Sequence, residues 1–521
     1  MKLFIVRHGQ SVGNTKQGFI AGRSDPHGLT EVGRVQILRS AYELRSAGIT
    51  TIYSSPVTRA LETAQIFARS LNLKVKTVDW ATELDHGTFE GNYWWEVIHN
   101  VPPSWQKNRE DYHTAYPGGG ESMALMADRL WKGLDVFIPS LSPDSKNILI
   151  SHQAPLAAMH YLLQHGNPST YTKKSQDAFL RHIHSFHMKN GGFIEATYQG
   201  TSLTSVTEHK EFEPVKERTQ NISFYASGIL KSQTGIRSKR QKTASKNAVY
   251  HLTNGTDHLL KVLHAEDPAA VGRQVKLYEY LYEQKIAAPR VIFHDHSKAF
   301  YATDLFIQDY TEGVSQDNCF QKHPAQMSTV LKPIFTQLQR IHSLPTSEVS
   351  NFWIPPVFEQ FRHWQPFMIY NINFTLHHLT ELSFSTEAQK RITTALTSLK
   401  KYTRAQSFTV VPIHGDLAPD NIILNHHTDS CRFARIIDFE WARLGDRLWD
   451  YAYYWGWLER LHKPTALSWH NILTKHCTSE ELGIIDQYRI LFHAWTVRDM
   501  LEYKDDSLRL VRGEKSLQIL S

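Results

Sequence analysis

Leu3-Phe4-Ile5-Val6-Arg7-His8-Gly9-Gln10-Ser11 is the stretch on which the reading of this chain turns. Four apolar residues, partly β-branched and ended by charge, read as a short strand buried on both faces. Thr51 to Tyr53 and Ile148 to Ile150 have the same character. Thr30 to Ala47 and Pro56 to Leu71 lie between them and carry helical periodicity, with Thr30 a plausible N-cap. Strands alternating with helices predict an α/β sandwich, whose active groups gather where parallel strands end. Arg7-His8 and Ser151-His152 both follow such ends, so the two pairs are expected to meet in space.

At 521 residues the chain exceeds one ordinary core, and two or three domains are expected. A hydrophobic share of 41% with 21% charged residues excludes wholesale disorder. A net charge of +6 is small for this length and gives nucleic-acid binding little support. Cys319, Cys431 and Cys477 are far apart without CxxC spacing, against a disulfide framework or a cysteine zinc site. No apolar run approaches the roughly 20 residues of a membrane helix, so no membrane contact is expected. Four apolar residues before Arg7 are too few for a signal-peptide core, and a cytoplasmic location is the expectation.

A neutral, aimed imidazole can attack phosphorus if cations neutralise the phosphoryl oxygens. Arg7 and Arg59 have the planar fork for that task. Arg59 lies in Ser54-Ser55-Pro56-Val57-Thr58-Arg59-Ala60-Leu61-Glu62-Thr63-Ala64, where a strand passes into a helix and backbone donors favour anions. The leaving alkoxide needs a proton, and Glu83 is the candidate donor, with Asp85 and Glu90 close by in sequence. Tyr93, Trp94, Trp95, Trp105 and Tyr112 read either as walls for an organic ester or as packing of a helical subdomain.

The ordered set of Arg7-His8-Gly9, Asn14, Leu29 to Gly33, Ser54 to Ala64, Glu83, Gly87 to Gly91, Pro117 to Ser122 and Ser151-His152 resembles the histidine phosphatase superfamily, with its phosphoglycerate mutase-like fold. The resemblance implies that His8 is the phosphorylated nucleophile and that Arg7, Arg59 and His152 clamp the phosphoryl group. It further implies that Asn14 assists at the substrate, that Glu83 is the acid, and that no cofactor is needed. The residue after His152 departs from the family pattern, being Gln153 rather than Gly. Few basic residues, Lys107 and Arg109, lie between Gly91 and Pro117, which favours hydrolysis over mutase chemistry.

Downstream, His414-Gly415-Asp416-Leu417-Ala418-Pro419-Asp420-Asn421 precedes Ile436-Ile437-Asp438-Phe439-Glu440. Phosphoryl transfer from ATP needs a metal bridge, a cation on the phosphates and a group that orients the acceptor hydroxyl. Asp416 can align that hydroxyl, while Asn421 and Asp438 offer oxygen ligands to Mg²⁺. Lys261 sits on the second strand of a predicted hairpin, Ala248 to His251 and His258 to Leu263 around Asn254-Gly255. These motifs, with Ile307 to Gly313 as an interlobe hinge, Leu338 to His342 and Gly445 to Asp450, resemble the aminoglycoside phosphotransferase and choline kinase branch of kinase-like enzymes. The resemblance implies ATP and Mg²⁺ as cofactors. It places the nucleotide loop at Thr243 to Asn247, with Ser245 and Asn247 at the phosphates but without the usual glycine. The carboxylate that normally pairs with the strand lysine is replaced by Gln274, with Glu279 a poor substitute. Glu440, Trp441, Trp449 and Tyr451 to Trp457 read either as a cation-binding neighbourhood for an amino alcohol or as a packed aromatic helix, the second being favoured. Asp450 reads as structural.

The expected architecture is therefore an N-terminal α/β/α sandwich over 1–200, a linker and the start of a small lobe over 201–246, and a bilobal (α+β) kinase-like domain over 247–521. The basic run from Lys231 to Lys246 reads as solvated linker in preference to an anion contact. The expected function is bifunctional: hydrolysis of a small-molecule phosphate ester through phosphohistidine, and ATP-dependent phosphorylation of a small-molecule alcohol or amino alcohol. An active phosphatase joined to a non-catalytic nucleotide- or ligand-sensing domain is the alternative. Neither substrate nor the oligomeric state is legible.

Overall fold

The computed structural model describes the chain except residues 18, 98–110, 168–171, 233–235, 242–247, 264–269, 350–362, 383, 406–407, 428–429 and 503–506. The described residues form two compact units, Met1–Val262 with Asp295–Leu305, and Leu263–His294 with Phe306–Ser521.

The first unit is built on a six-stranded sheet of β1 (Lys2–Arg7), β2 (Thr51–Ser54), β3 (Val75–Thr77), β4 (Lys146–Ser151), β5 (Phe193–Gln199) and β6 (Ser202–His209), in the order β3-β2-β4-β1-β5-β6. The first four strands are parallel, and β5 and β6 turn antiparallel at one edge. Leu3, Ile5, Val6, Ile148, Leu149 and Ile150 are fully buried, as their unbroken apolar runs require. β1 and β2 both flank β4, in a register that sets Arg7 opposite Ser151 and Ser54 opposite Ile150. Three strand ends, and the residues after them, are thereby delivered side by side.

The helix Glu31–Leu44 begins where Thr30 accepts a hydrogen bond from the Gly33 amide, as its N-cap reading requires. Its first turn is pressed onto the loop after β1. A Cβ on Gly33 would lie 2.1 Å from the Gln10 carbonyl oxygen, and one on Gly9 would lie 2.4 Å from the Gly33 carbonyl oxygen. The two glycines allow backbone to touch backbone. Thr30 and Gln36 then fix the loop by hydrogen bonds to Gln10.

The stretch 201–246 is not featureless. It contains β6, the helix Thr219–Ile229 and β7 (Arg237–Arg240). β7 pairs antiparallel with β8 (Ala248–Thr253), so part of the basic run is an edge strand and not solvated linker. Strand-borne lysine and arginine are a usual guard for an open edge. β8 pairs with β9 (His258–Leu263) as the predicted hairpin, and Gly255 takes φ +76° in its turn. β10 (Val291–Asp295) and β11 (Asp304–Asp309) complete the strands before the larger helical part.

The second unit is mainly helical, with two small sheets. β12 (Val314–Ser315), β14 (Ile422–His427) and β15 (Ser430–Ile436) form one, and β13 (Val410–Ile413) pairs with β16 (Arg443–Asp446) in the other. Its core gathers Ile334, Leu338 and Ile341 with Trp469, Leu473, Tyr488 and Leu491, all at or near zero exposure. Cys319 and Cys431 are buried free thiols with Sγ atoms 3.4 Å apart. No helix among the described residues is long and apolar enough to cross a membrane.

Gly33→Ala is expected to cost about 1–3 kcal/mol, because the added methyl displaces backbone and not a yielding side chain. Urea unfolding of the full chain measures it, and Glu31→Ala, an exposed change on the same turn, is expected to cost under about 0.5 kcal/mol.

Candidate active sites

The strand ends of the first unit bring His8, Arg59, Glu83 and His152 together. His8 and His152 lie with ring centroids 5.2 Å apart and exposures of 2% and 0%. His8 Nδ1 is 2.7 Å from the Gly9 carbonyl oxygen, which can only accept, so Nδ1 carries the proton. Arg59 Nε donates to His8 Nε2 at 3.2 Å, so that nitrogen holds the lone pair. Two independent contacts fix the same tautomer. Burial first, then the charges of Arg59 and Arg7, hold the His8 pKa well below that of an ordinary histidine. A neutral imidazole with Nε2 as its nucleophilic edge follows.

Around it stand two arginines, and the carboxylate neighbours of the buried Arg59 lie at the long end of ion-pair distance. Arg59 is 2% exposed and reaches Asp25 and Glu83 only at 3.9 Å, while its Nη2 donates to the Gly22 carbonyl. Arg7 Nη1 donates to the Met188 carbonyl oxygen at 2.5 Å. Arg7 Nε, Arg59 Nη1 and His152 Nδ1 are buried without a hydrogen-bond partner. Orphaned buried donors are costly, and the two guanidinium N–H groups beside one nucleophile suit an anion bearing several oxygens. His152 Nε2 lies 2.8 Å from Ser55 Oγ, and its pKa is lowered by burial and then by Arg59.

Glu83 Oε2 lies 3.9 Å from Arg59 Nη2 and 4.0 Å from His152 Nδ1. Arg23 and Arg129 both donate to its backbone carbonyl. The neighbouring carboxylates are otherwise engaged: Glu90 caps the backbone of Arg23, Ser24 and His86, and Asp85 accepts from the Gly87 amide. Asn14 is exposed, its Oδ1 accepting from the Ser11 amide in a capping box and lying 3.4 Å from Asn190 Nδ2. Asn190 also donates to the His8 carbonyl. Gln153 donates to the Phe186 carbonyl and accepts from the Met188 amide, bracing the segment that holds Arg7. Asp25, Ser55 and Asn190 touch the site without having been singled out in the sequence; only proximity in the fold marks them. Tyr93 and Trp95 stack on each other at 4.6 Å, and Trp105, Lys107 and Arg109 lie outside the described residues.

In the second unit, β13 runs into His414-Gly415-Asp416. His414 Nε2 donates to the Ile437 carbonyl, tying this loop to the segment that carries Asp438. Gly415 takes φ +82°, and a Cβ there would lie 2.3 Å from the Trp441 carbonyl oxygen. Asp450, fully buried, accepts from the amides of His414 and Gly415, each at 2.9 Å, and from His342 Nε2 at 3.0 Å. The structural reading of Asp450 and the Leu338 to His342 motif thus share one explanation: together they hold the loop turn.

Asp416 Oδ1 accepts from the Tyr453 hydroxyl at 2.5 Å. Burial first, with Asp438 and Glu440 adding, pushes the Asp416 pKa up to about 7, and the Tyr453 hydrogen bond opposes this. Asn421 Nδ2 donates to the Asp416 carbonyl at 2.9 Å, which turns its Oδ1 away as an oxygen ligand. Asp438 sits in the left-handed region at φ 65°, uncommon for a residue with a side chain. An amide oxygen and a carboxylate are a hard donor set that fits Mg²⁺. Among the described residues no cluster of three or more His, Cys, Asp or Glu forms a fuller metal centre. Lys261 lies on β9 of the first unit, while Asp416, Asn421 and Asp438 lie in the second. Gln274 has a buried Nε2 without a hydrogen-bond partner, and Glu279 is exposed. Ser245 and Asn247 lie outside the described residues.

A cavity of about 200 Å³ opens at Asp416, lined by Trp364, Phe367, Gly415, Trp441, Arg443, Trp449, Tyr453 and Trp495. The aromatic neighbourhood of Trp441, Trp449 and Tyr453 is therefore more than packing. These rings also face open space beside a carboxylate. Helical spacing alone could not separate the two, since both place rings on one face.

Residues 3–200 match the family model described as histidine phosphatase superfamily (branch 1), and residues 242–468 match the phosphotransferase enzyme family. Phosphoserine phosphatase 1 of Hydrogenobacter thermophilus is 34% identical over 163 residues, covering 31% of this chain and 76% of the relative. The 2,3-bisphosphoglycerate-dependent phosphoglycerate mutase of Thermoplasma acidophilum is 32% identical over 186 residues, covering 34% and 86%. The structure of aminoglycoside phosphotransferase APH(4)-Ia is similar at 15% identity and a TM-score of 0.40, over 56% of this chain and 97% of that one.

Asp450→Ala strands three buried donors at once and is expected to cost about 3 kcal/mol or more. A lowered urea midpoint of the full chain reads this loss, and a midpoint within about 0.5 kcal/mol of wild type denies Asp450 its bracing role.

Proposed function

Because the chain belongs to the histidine phosphatase superfamily through its N-terminal part and carries a phosphotransferase-family domain after it, we propose that it is a bifunctional enzyme. The N-terminal part hydrolyses a small-molecule phosphate ester, and the C-terminal part phosphorylates a small-molecule hydroxyl. The observation that carries the first half is the fixed tautomer of His8 amid orphaned cationic donors.

In the hydrolytic half, His8 Nε2 forms a bond to phosphorus as the ester P–O bond breaks. Arg7, Arg59 and His152 hold the phosphoryl oxygens, their unpaired N–H groups meeting the charge there. Glu83 gives the leaving alkoxide its proton. The resulting carboxylate then takes a proton from water as the water oxygen attacks phosphorus and the N–P bond breaks, which returns neutral His8 and releases phosphate. Hydrolysis is favoured over mutase chemistry for want of a basic insertion able to keep a bisphosphate.

In the transfer half, Asn421 and Asp438 would hold Mg²⁺, which when bound supplies charge neutralisation for the transferring phosphoryl group. Asp416 accepts or aligns the acceptor's hydroxyl proton, with Tyr453 fixing its orientation. Lys261 is the proposed contact to the donor's phosphates, and Ser245 and Asn247 are proposed beside it on sequence grounds. Gln274 in place of a carboxylate favours a second reading, in which this half only senses a nucleotide or ligand. Magnesium-dependent turnover of ATP with an alcohol, retained in His8→Ala and lost in Asp438→Ala, supports the transfer reading. Its absence from the wild type across alcohols and sugars rejects it.

Glu83→Gln is expected to slow hydrolysis of alkyl phosphates by about 10²–10⁴-fold. Formation of the first burst from p-nitrophenyl phosphate, whose leaving group needs no proton, is expected to change far less. Equal losses on both substrates would remove Glu83 from the acid role. Since His8 is held neutral well below the usual histidine range, protonation should not silence it near pH 6.5. Burst rates are expected to stay level from pH 8 to 6, and a fall centred on 6.5 contradicts this. Tyr453→Phe removes a donor that lowers the Asp416 pKa, so the acid limb of phosphoryl transfer should move to higher pH. An unmoved limb would leave Tyr453 without that function.

A further inference from the structure

We propose that the cavity beside Asp416 takes an anionic alcohol, one bearing a carboxylate or phosphate together with an apolar or ring-bearing body, and that Arg443 is the residue that selects it. The inference rests on the reading of Asp416 as the group that aligns the acceptor hydroxyl, and it reverses the amino-alcohol expectation drawn from the same aromatic residues.

Four observations converge. Arg443, on β16, is only 3% exposed and lines the cavity of about 200 Å³ that Asp416 also lines. Among the described residues no carboxylate forms an ion pair with it, and its Nη1 is buried without a hydrogen-bond partner. Among the described residues its guanidinium makes one polar contact, a long one from Nε to the Trp441 carbonyl at 3.5 Å. Its ring contacts are made through the guanidinium carbon, which lies over the Phe367 ring 3.9 Å from the centroid and 5.8 Å from that of Trp441. The edge remains, and it is the edge that forks onto carboxylate or phosphate. Burial lowers the Arg443 pKa to about 10, so the group is still charged at neutral pH.

A buried, unpaired guanidinium is costly unless an anion arrives to match it. A trimethylammonium or ammonium group in the same space would meet a like charge in a weakly screened cavity. Rings of Trp364, Phe367, Trp449, Tyr453 and Trp495 complete the lining, suited to an apolar body. The acceptor thus presents its hydroxyl to Asp416 and its negative group to Arg443.

Calorimetric titration of the full-length His8→Ala chain, which cannot consume phosphate esters, tests this with four matched alcohols. These are 4-(hydroxymethyl)benzoate, 4-(hydroxymethyl)phenyl phosphate, neutral 1,4-benzenedimethanol, and 4-(hydroxymethyl)benzyltrimethylammonium. At least one anionic member is expected to bind tenfold or more tightly than the neutral one, with the cation weakest. Comparison of the carboxylate with the phosphate tells which anion is preferred. Adding Arg443→Gln should reduce the anion-to-neutral ratio to below about threefold while leaving the neutral alcohol's affinity unchanged, and Arg443→Lys should restore part of it. Equal or tighter binding of the neutral or cationic alcohol overturns the proposal, as does binding by none of the four, or equal loss of all ligands in Arg443→Gln. Because binding is read without turnover, the anion preference should persist in Asp416→Asn. A missing ATP-dependent reaction alongside intact anion selectivity would therefore defeat the transferase reading and spare the site.

Discussion

A histidine can attack phosphorus only through a nitrogen that is unprotonated, and the backbone geometry around His8 decides which one that is. The carbonyl of Gly9 holds the Nδ1 proton at 2.7 Å and Arg59 Nε points at Nε2. Much of the first unit serves this contact. β4 lies between β1 and β2 so that their ends coincide, and Gly9 lies against Gly33 so that the loop after β1 rests on a helix turn. Gln153 braces the chain that accepts from Arg7. Burial keeps the imidazole neutral, and nearby Arg7 and Arg59 each keep a buried nitrogen without a hydrogen-bond partner.

The second unit solves a similar problem with a carboxylate. Asp450 gathers two loop amides and His342, and His414 joins that loop to the strand end bearing Asp438. With the loop fixed, Asp416 is held by Tyr453 at the floor of an aromatic cavity, and its burial raises its proton affinity. In both units a charged or polar side chain orders the backbone that presents the candidate reactive group. That is why the glycines at 33 and 415 matter: each allows a main chain to approach where a methyl group would not fit.

Legibility in the sequence followed periodicity. β1 and β4, whose ends carry His8 and His152, hold unbroken apolar runs, and the hairpin of β8 and β9 turns on Asn254-Gly255, so both were readable. β7 was not, since Arg-Ser-Lys-Arg has no apolar alternation and its pairing comes from the neighbour strand. His8, Arg7, Arg59, Glu83 and His152 were readable as an ordered set. Asp25 and Asn190 were not, because single polar residues carry no spacing signal, and Ser55 was legible only as part of the Ser54 to Ala64 stretch, without a role. Gln153 was visible only as a departure, and the fold supplies its role. Trp449 and Tyr453 were legible as an aromatic neighbourhood, but core packing was the favoured reading of their helical spacing, and the cavity beside Asp416 adds a second role. Arg443 was silent altogether: an arginine on a short strand looks exposed until the rings around it are placed.

The central claim is that His8 carries phosphate on Nε2 during turnover. Reaction of the full-length protein with a phosphate ester, quenched in alkali where phosphohistidine survives, and read by phosphorus NMR with peptide mass spectrometry, tests it most directly. The account predicts a single Nε2-phosphohistidine at residue 8. Phosphate on Nδ1, on another residue, or on no residue while hydrolysis proceeds would contradict it.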